Sequence, residues 1–443
     1  MTWPVPELAP PSEGVETLID CPTSPPADAG PRFIPHIEEG TVSRTPANRS
    51  HRYDLTVGVE EESGRPPGGP LRVLLVIKCL GYGGAERLLV DTVAAADPRH
   101  LDYEVAYVLR EQDALVPAIV SGGTQVHSLG AANNADLRWM LAFRRLLTGR
   151  RYDVVHFHLP YAAALGQLVV SSVPRSTRPA VVYTEHSLWD RAKLVNRVLL
   201  RASMSSDERL IAVSAASYDA LPVSLRRRTT TVLHGVDLSR ADGLVARREE
   251  MRTRARTELG LADGELLFLT VANLRPEKGY DVLLEATRSI ADSGLPIRVA
   301  AVGRGPLKSV LRARHHELAL GDRFQFLGQR DDVLELLAGA DAFVLASRHE
   351  GLPVALMEAT SVGLPIIAPS IGGVPEVLEN EVDAILVPPG DVQLLAEAMT
   401  RMASDPQLRE RLGHRARLKS SAFDISAANR AVGDIYLQVA GGP

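Results

Sequence analysis

The chain has 443 residues, of which 45% are hydrophobic and 23% are charged, and its formal net charge is −5. A length of this order predicts two domains, and the composition is typical of a folded globular protein. The small negative charge gives no electrostatic reason to expect nucleic acid or an anionic membrane as a partner.

Two further absences in the sequence concern the location of the protein. No apolar run approaches the roughly 20 residues that span a bilayer. The N-terminus lacks the basic and apolar regions of a secretory signal. The sequence therefore predicts a cytoplasmic protein.

Residues 1–69 form a segment rich in proline, with paired prolines at positions 10–11, 25–26 and 66–67. Serine, glutamate and glycine separate the prolines, and there is no long apolar periodicity. Such a segment buries too little apolar surface to offset the entropy that is lost on ordering. We predict a mostly disordered tail. A regulatory or partner-docking role stays open for it, and nothing in it indicates catalysis.

From residue 70 onwards, short apolar segments alternate with helical stretches. The strands predicted in this half are Leu71–Ile77, Tyr103–Leu109, Asp153–His158, Ala180–Thr184, Arg209–Val213 and Thr229–Leu233. This alternation predicts a mostly parallel, doubly wound sheet, and ligands bind such sheets at the C-terminal ends of the strands. We therefore predict a first Rossmann-like domain over residues 70–239.

Glycines and histidines lie at the predicted strand ends of this domain. The turn Gly81–Glu86 follows the first strand, and its glycines allow backbone N–H groups to approach a phosphate. It lacks the G-x-G-x-x-G fingerprint of dinucleotide sites, and no Walker lysine follows it. His158 and His186 each lie at the end of another strand. A purely structural role stays open for each histidine.

A second series of strands and helices begins after a charged region. Residues 240–264, which are rich in arginine, glutamate and glycine, predict a charged helix and linker. We predict a second Rossmann-like domain over residues 265–423, beginning with strand Leu266–Val271, and a last helix within residues 424–443. Gly303 lies in the glycine turn after the strand that starts at Ile297.

One lysine of the second domain is an unusual choice for this chain. Only five of the 49 basic residues are lysines, and Lys278 is one of them, in the segment Asn273–Gly279. Its position after a strand favours a role in binding an anion. A solvated surface lysine is the alternative.

Residues 347–358 combine the end of a strand, a tight loop and the start of a helix. Ala342–Ala346 predicts a buried strand, and Pro353 suits the first turn of the helix that follows. The N–H groups at the start of that helix would form a phosphate site. Glu350 lies in the loop, and Glu358 lies about two helical turns further on. Ionised carboxylates only accept hydrogen bonds, so the pair suits a ligand rich in hydroxyl groups.

This stretch resembles the glutamate–seven residues–glutamate motif of the large retaining glycosyltransferase family 4. The similarity continues in residues 81–86, 234–237, 273–279, 363–369 and 372–376. It implies an α/β protein of the GT-B fold, in which two Rossmann-like domains with parallel sheets face each other across a cleft. The N-terminal domain would bind the acceptor and the C-terminal domain the nucleotide-sugar donor. The last helix would cross back onto the N-terminal domain.

The resemblance also implies a reaction. A sugar would pass from a nucleotide-diphosphate sugar to an acceptor hydroxyl with retention of the anomeric configuration, in glycan, glycolipid or polysaccharide biosynthesis. The acceptor would be a sugar or a lipid-linked glycan, and no nucleic acid would take part. No metal or other cofactor is expected, because the chain has no Asp-x-Asp motif and because helix N-termini and a lysine can replace a divalent ion.

The resemblance assigns roles to individual residues. The catalytic residues are Glu350, His158 and Lys278. The donor-binding residues are Gly83, Gly84, Asn273, Gly303, Gly351, Leu352 and Glu358, and the acceptor-side residues are Glu86 and His186.

Three residues depart from the family pattern. Asn273 stands where the family usually has arginine, so diphosphate binding would depend more on Lys278, with Arg275 as a candidate replacement. His234 replaces an asparagine, and Arg304 replaces a residue that is often acidic.

Other functions remain open for a chain of this fold. A sugar-nucleotide epimerase and a sugar phosphorylase share the fold. A non-catalytic sugar-nucleotide-binding protein is a third alternative, since Asn273 departs from the pattern. The missing dinucleotide fingerprint disfavours a nicotinamide-dependent oxidoreductase.

Two basic amphipathic stretches leave contact with the inner face of a membrane open. Residues 137–147 interleave arginine with aromatic residues, and Lys193, Arg197 and Arg201 are spaced by four residues. Either stretch could be an interfacial helix. We favour helices that pack on the sheet and leave their arginines in solvent.

Overall fold

The computed structural model describes residues 69–441 except 187, 190–193, 205–207 and 292. It contains two parallel β-sheets, of seven and six strands, which are flanked by helices. Apart from Gly69, the predicted tail lies outside the described residues, and so does Lys193. None of the helices that the structure describes has the length and apolar character needed to span a bilayer.

The first sheet has the strand order β3-β2-β1-β4-β5-β6-β7, and every pairing in it is parallel. Its strands are β1 (Leu71–Ile77), β2 (Leu101–Leu109), β3 (Gln125–Ala131), β4 (Val154–His158), β5 (Ala180–Glu185), β6 (Arg209–Ala212) and β7 (Thr229–Thr231). Its helices are α1 (Gly84–Ala94), α2 (Val116–Ser121), α3 (Trp139–Gly149), α4 (Pro160–Ser171), α5 (Leu194–Ser203), α6 (Ala215–Asp219) and α7 (Val223–Arg226).

The second half begins with helices α8 (Leu238–Val245) and α9 (Arg248–Leu259). The strands of its sheet are β8 (Leu266–Val271), β9 (Ile297–Val302), β10 (Phe324–Gly328), β11 (Ala342–Val344), β12 (Ile366–Pro369) and β13 (Ile385–Val387), in the parallel order β10-β9-β8-β11-β12-β13. The other helices are α10 (Tyr280–Ala291), α11 (Lys308–Glu317), α12 (Val333–Gly339), α13 (Val354–Ser361), α14 (Val374–Val377), α15 (Val392–Ser404), α16 (Pro406–Lys419) and α17 (Ile425–Ala440). The prediction of two doubly wound parallel sheets is confirmed.

Strand β1 shows why the sheets are parallel and covered on both faces. Successive side chains of a strand point to opposite faces of the sheet. Leu74 and Val76 pack into one hydrophobic cluster, whereas Val73, Leu75 and Ile77 pack into another on the opposite face. A strand that is buried on both faces reads as a continuous apolar run, as strands of parallel sheets do. This explains why the apolar runs in the sequence predicted the positions of the central strands.

The region between the two predicted domains is folded into α8 and α9, which pack on the second sheet. Ala241, Leu244 and Met251 are buried in the same cluster as Leu269 of β8. The charged residues of this region lie around that apolar stripe. Residues 238–259 therefore contribute to the core of the second half of the molecule.

The last helix, α17, packs against the first sheet. Tyr436 is fully buried there and its ring lies edge-on to that of Tyr103, with 6.4 Å between the centroids. Nδ2 of Asn429 donates to the backbone oxygen of Thr92 over 2.9 Å. The C-terminal end of the described chain thus completes the core around β1 and β2.

Candidate active site

A cleft of about 340 Å³ lies between the C-terminal edges of the two sheets. Residues that follow strands of both sheets line it, namely His186, Val213, Ala272, Gly303 and Leu345. Ligand sites of open parallel sheets occupy this position. The cleft is therefore the candidate active site.

Most of the site residues predicted from the sequence form the wall of this cleft. They are Gly83, Gly84, His186, Asn273, Lys278, Gly303, Glu350, Leu352 and Glu358. The other three, His158, Gly351 and Glu86, lie behind the wall, and each is next to a residue that forms it.

The N-termini of α1 and α13 meet in the cleft. Gly84 and Val354 are the first residues of these helices, and a Cβ atom placed on Gly84 would lie 3.3 Å from Cγ2 of Val354. In the part of the chain that the structure describes, neither helix has a hydrogen-bonded side-chain cap. The first-turn N–H groups of both helices therefore give the same space a positive potential, which suits a diphosphate.

Lys278 and Glu350 form an ion pair beside these helix ends. Lys278 is the last residue of a 3-10 turn after β8, and its Nζ donates to Oε1 of Glu350 over 2.6 Å. Oγ of Ser347 donates to the same oxygen over 2.7 Å. The two charged side chains are 21% and 10% exposed, so both are accessible from the cleft. The cation and the carboxylate predicted for catalysis are thus direct partners.

Gly351 brings the loop of Glu350 against the first half of the molecule. A Cβ atom at position 351 would lie only 2.6 Å from the backbone oxygen of His186. Any side chain would push the two halves apart, so the loop needs glycine here. The position of Glu350 therefore depends on this close approach.

A second contact between the halves involves Glu376. Its carboxylate accepts hydrogen bonds from the backbone N–H groups of Ala215 and Ala216, over 2.7 and 2.6 Å. These groups lie at the N-terminus of α6, where N–H donors lack partners within the helix. Glu376, from the start of α14, therefore caps a helix of the first half.

Glu358 is a partly buried residue of the cleft wall. Its pKa is raised to about 7: burial and the nearby charge of Asp91 raise the pKa, whereas Arg87 and Arg240 lower it. Arg87 and Asp91 form an ion pair of 3.1 Å on α1. The carboxyl group of Glu358 thus faces both acidic and basic side chains from the first half.

Asn273 and Gly303 lie on the wall formed by the ends of β8 and β9. Gly303 has φ +150°, and a Cβ atom there would lie 1.9 Å from the backbone oxygen of Ala272. Arg275 lies close enough to Glu86 for its charge to lower the pKa of that carboxyl. The guanidinium of Arg304 lies over the ring of Tyr82, 4.9 Å from its centroid. Both arginines singled out in the sequence therefore face the first half.

Glu86 lies beneath the glycine turn. Its carboxyl occupies the place where a side chain of Gly83 would be, with Oε2 2.0 Å from the position of that missing Cβ. Burial raises the pKa of Glu86 to about 7, against the lowering effects of its own backbone N–H, Arg275 and Lys78. The acceptor-side role predicted for Glu86 stays a prediction.

His158 and His186 are linked, and His234 extends the link to the cleft. Nδ1 of His158 lies 3.0 Å from Nε2 of His186, and Nδ1 of His186 lies 3.2 Å from Nε2 of His234. His186 and His234 form part of the cleft wall. The histidines that end β4 and follow β5 are therefore one cluster, as their shared edge of the sheet predicts.

Several lining residues were not assigned roles from the sequence. Arg87, Asp91, Asp237 and Arg240 are charged residues of this kind. Arg87 and Asp91 lie three and seven residues after Gly84 and therefore share its face of α1. This helical spacing is the sequence pattern that could have predicted their place in the cleft. Asp237 and Arg240 lie around the start of α8 and come near the cleft only through the packing of that helix.

Two family models match the chain, and together they span both sheets. The model of Glycosyltransferase Family 4 matches residues 82–240, and the model of Glycosyl transferases group 1 matches residues 251–419. The chain belongs to glycosyltransferase family 4. As a member of this family the protein is a glycosyltransferase, which confirms the resemblance seen in residues 347–358.

Two curated relatives of this family 4 member are also named as sugar transferases. The D-inositol 3-phosphate glycosyltransferase of Saccharomonospora viridis is 29% identical over 64% of this chain and 70% of its own length. The UDP-Gal:alpha-D-GlcNAc-diphosphoundecaprenol alpha-1,3-galactosyltransferase of Escherichia coli is 27% identical over 69% of this chain and 80% of its own.

Solved structures confirm the GT-B fold of this glycosyltransferase. HepE from Anabaena, solved in complex with UDP and glucose, superposes with a TM-score of 0.71 at 21% identity and covers 83% of this chain and 100% of its own. WaaG, a glycosyltransferase of lipopolysaccharide biosynthesis, has a TM-score of 0.62 at 16% identity over 83% of this chain and 100% of its own.

Proposed function

We propose that this glycosyltransferase moves a hexose from a nucleotide-diphosphate sugar to a hydroxyl group of a sugar or lipid-linked acceptor, with retention of the anomeric configuration. UDP is the first nucleotide to test, because the Escherichia coli relative is named for UDP-Gal and HepE was solved with UDP-glucose. Glycan or polysaccharide assembly is the pathway class that these relatives support.

The observation that carries the proposal is the meeting of two helix N-termini beside Lys278. When the bond between the sugar and the diphosphate breaks, negative charge grows on the leaving diphosphate. N–H groups that are already fixed in place, together with a cation, stabilise such charge without reorganisation. The N-termini of α1 and α13 and the ammonium of Lys278 provide this arrangement. We therefore propose that no divalent metal is needed.

The ion pair between Lys278 and Glu350 gives the donor two points of attachment. Once a diphosphate oxygen binds Nζ of Lys278, Oε1 of Glu350 loses its strongest partner. The freed carboxylate then accepts hydrogen bonds from sugar hydroxyl groups, since an ionised carboxylate has only acceptor sites. We assign Glu350 to the transferred sugar and Glu358, which lies further along α13, to the ribose.

Retention follows if the acceptor attacks from the side that the diphosphate leaves. The acceptor oxygen bonds to the anomeric carbon as the bond from that carbon to the diphosphate oxygen breaks. The acceptor proton passes to the departing diphosphate oxygen, so charge and atoms balance. Lys278 and the helix N-termini then hold the nucleoside diphosphate. Glu350 positions the sugar rather than attacking it.

Ligand-dependent thermal stability tests the donor site. UDP, GDP, ADP, NAD and matching sugar nucleotides are each added to the wild type, to Lys278→Ala and to the control Lys308→Ala, whose lysine is exposed on α11. A ligand at about 100 times its dissociation constant adds about 2.7 kcal/mol to the folded state. We expect one diphosphate to stabilise the wild type and the control but not Lys278→Ala. Stabilisation by NAD alone would exclude the proposal.

Product analysis tests the reaction. Incubation of the stabilising sugar nucleotide with a panel of sugar and lipid-linked acceptors should give a glycoside with the anomeric configuration of the donor, as read by proton coupling at the anomeric carbon. The rate should be the same with and without EDTA. An epimerised donor, a phosphate-dependent sugar phosphate, or an inverted glycoside would each contradict the proposal.

We also propose a cytoplasmic location with peripheral contact to the inner membrane face through α5. Leu194, Val198 and Leu199 are 68%, 58% and 45% exposed on this helix. The aromatic side chains of the other basic stretch, Trp139 and Phe143, are fully buried in the first core, although Leu137 and Leu141 of that stretch are exposed. The exposed apolar side chains, followed by Arg201 at the end of α5, support an interfacial helix.

Vesicle flotation tests this contact. Liposomes with and without phosphatidylglycerol are mixed with the wild type, with Leu194→Asp/Val198→Asp, and with Val310→Asp, which changes an equally exposed residue on α11. The wild type and the control should float with anionic liposomes, and the double variant should not. Equal flotation of all three proteins would remove α5 from the proposal.

A further inference from the structure

Three histidines at the C-terminal edge of the first sheet form a directional chain. Nδ1 of His158 faces Nε2 of His186 at 3.0 Å, and Nδ1 of His186 faces Nε2 of His234 at 3.2 Å. The rings of His186 and His234 are stacked, with centroids 4.9 Å apart and an interplanar angle of 13°. Both links run in the same sense, from the Nδ1 of one ring to the Nε2 of the next.

The chain of three histidines has one end in the cleft and one end in the interior of the protein. His234 lies on the cleft wall with His186. At the other end, Nε2 of His158 is buried and has no hydrogen-bond partner among the residues that the structure describes. Leaving a buried nitrogen without a partner destabilises the fold, so such an atom usually signals a ligand or water.

A fourth histidine lies beside the chain but is not a link in it. The ring of His156 lies against that of His158, with 4.3 Å between the centroids and an interplanar angle of 33°. Its two nitrogens have their own partners, the hydroxyl of Tyr436 at 2.6 Å and the hydroxyl of Thr184 at 2.7 Å. His156 therefore holds the ring of His158 in place without exchanging protons with it.

The hydrogen-bonding chemistry of imidazole restricts the proton positions in the chain of three histidines. A neutral imidazole carries one N–H donor and one bare acceptor nitrogen. Each link needs one donor and one acceptor, and each link joins an Nδ1 to an Nε2. If Nδ1 of His158 donates, His186 must accept at Nε2 and donate at Nδ1, and His234 must do the same. The three rings are therefore all Nδ1–H or all Nε2–H.

Burial keeps the three rings neutral. It lowers the pKa of His234 to about 4, and it lowers the pKa values of His158 and His186 well below the ordinary value. The neighbouring imidazoles lower the pKa values of His158 and His186 further, since two positive rings would repel each other.

We propose that His158, His186 and His234 form a tautomeric relay, in which a ligand hydroxyl at His234 sets whether the buried nitrogen of His158 donates or accepts a hydrogen bond. A switch between the two states moves one proton across each link. One proton leaves Nδ1 of His234 for solvent in the cleft, and one enters Nε2 of His158 from a water molecule bound at that nitrogen, so the rings stay neutral. His234 is then a positioning residue that acts on His158 through His186.

The effect of the relay on sugar transfer rests on the proposed function. The proton positions in the three rings do not depend on it. The family's usual asparagine in place of His234 has an amide that can hydrogen bond to His186 but does not exchange tautomers. His234→Asn should therefore preserve the wall of the cleft and lose the coupling. This variant separates the relay from simple packing.

Imidazole NMR on the wild type tests the proton positions directly. In protein labelled with ¹⁵N-histidine, one-bond N–H couplings and ring nitrogen shifts identify which nitrogen of each ring is protonated. We expect His158, His186 and His234 to share one tautomer at neutral pH, with and without UDP. Mixed tautomers among the three rings, or a doubly protonated ring, would overturn the relay whether or not the protein transfers sugar.

Kinetics test the consequence. His234→Asn should reduce kcat by up to about 100-fold, the loss typical of a small misplacement near the reacting atoms, and leave KM for the donor within about twofold. The control His414→Asn, at an exposed position of α16, should match the wild type. His234→Asn should also change the tautomer or the exchange rate of His158. A variant with wild-type kcat and an unchanged His158 signal would overturn the relay, while the activity of the wild type would keep the proposed function intact.

Discussion

Lys278 and Glu350 are hydrogen bonded at 2.6 Å, although we assign one to the diphosphate and the other to the transferred sugar. On this assignment, donor binding exchanges the ion pair for two new sets of contacts. The pair also keeps both side chains in defined positions, because Ser347 holds the same carboxylate oxygen. This arrangement leads to predictions in which the two residues behave differently.

Lys278→Ala should remove a fixed cation that stabilises the leaving diphosphate. The loss of one such donor typically lowers kcat by about 10² to 10³. Steady-state kinetics with the identified donor would measure it, with Lys308→Ala as the control. A loss in kcat below tenfold would mean that the helix N-termini alone stabilise the negative charge on the leaving diphosphate.

Glu350→Gln should have opposite effects on turnover and on product affinity. The variant removes the charge that competes with phosphate for Lys278, so the free nucleoside diphosphate should bind more tightly than to the wild type. Turnover should fall, because the amide is a weaker acceptor for sugar hydroxyl groups. Calorimetry with the diphosphate and initial rates would measure the two effects. Glu410→Gln, at an exposed position of α16, is the control.

The carboxyl groups of Glu86 and Glu358 should make the free energy of unfolding fall as the pH rises. Burial raises each pKa from 4.5 to about 7 in the folded protein. Between these values only the unfolded chain ionises, so the free energy of unfolding decreases as pH rises. Above pH 7 both states ionise and the decrease stops. Each group would contribute a loss on the order of 3 kcal/mol.

Amide variants test the origin of this slope. Glu358→Gln and Glu86→Gln should each flatten the decrease in unfolding free energy between pH 5 and pH 7, because an amide does not ionise. Urea unfolding at several pH values would measure the change, with Glu410→Gln expected to follow the wild type. An unchanged slope in both variants would contradict the assignment.

Gly351→Ala should disrupt the contact between the two halves without changing either core. The added Cβ would lie 2.6 Å from the backbone oxygen of His186, so the loop that holds Glu350 must move. We expect activity to fall by about 100-fold, as for other small misplacements of catalytic groups. The control is Gly243→Ala in α8, where a Cβ meets nothing within 4 Å and alanine should stabilise the helix by about 1 kcal/mol.

Local patterns predicted much of the fold. The central strands, such as β1, are apolar on both faces and were located within one or two residues. Strand β3 was missed because it lies at the edge of its sheet and most of its residues are at least partly exposed. Helix α16 was missed as well, because it is dominated by charged residues and has a weak apolar stripe.

The site residues that lie within sequence motifs were predictable. The contacts that arise from packing between distant segments were not. The glycine turn and residues 347–358 could be read from the sequence, but the bond between Lys278 and Glu350 could not. The contact of His234 with His186 also depends on the packing of two loops. Local periodicity contains no information on such distances between segments.

The position of Tyr436 has a consequence for the synthesis of the protein. The side chain fills the core around β1 and β2 and binds His156, yet it belongs to the last helix. The folded unit around the first sheet is therefore not continuous in the chain. During translation its core stays incomplete until the second half of the chain has been made. A fragment that ends before α17 would expose apolar surface, and the two halves are expected to reach the native state together.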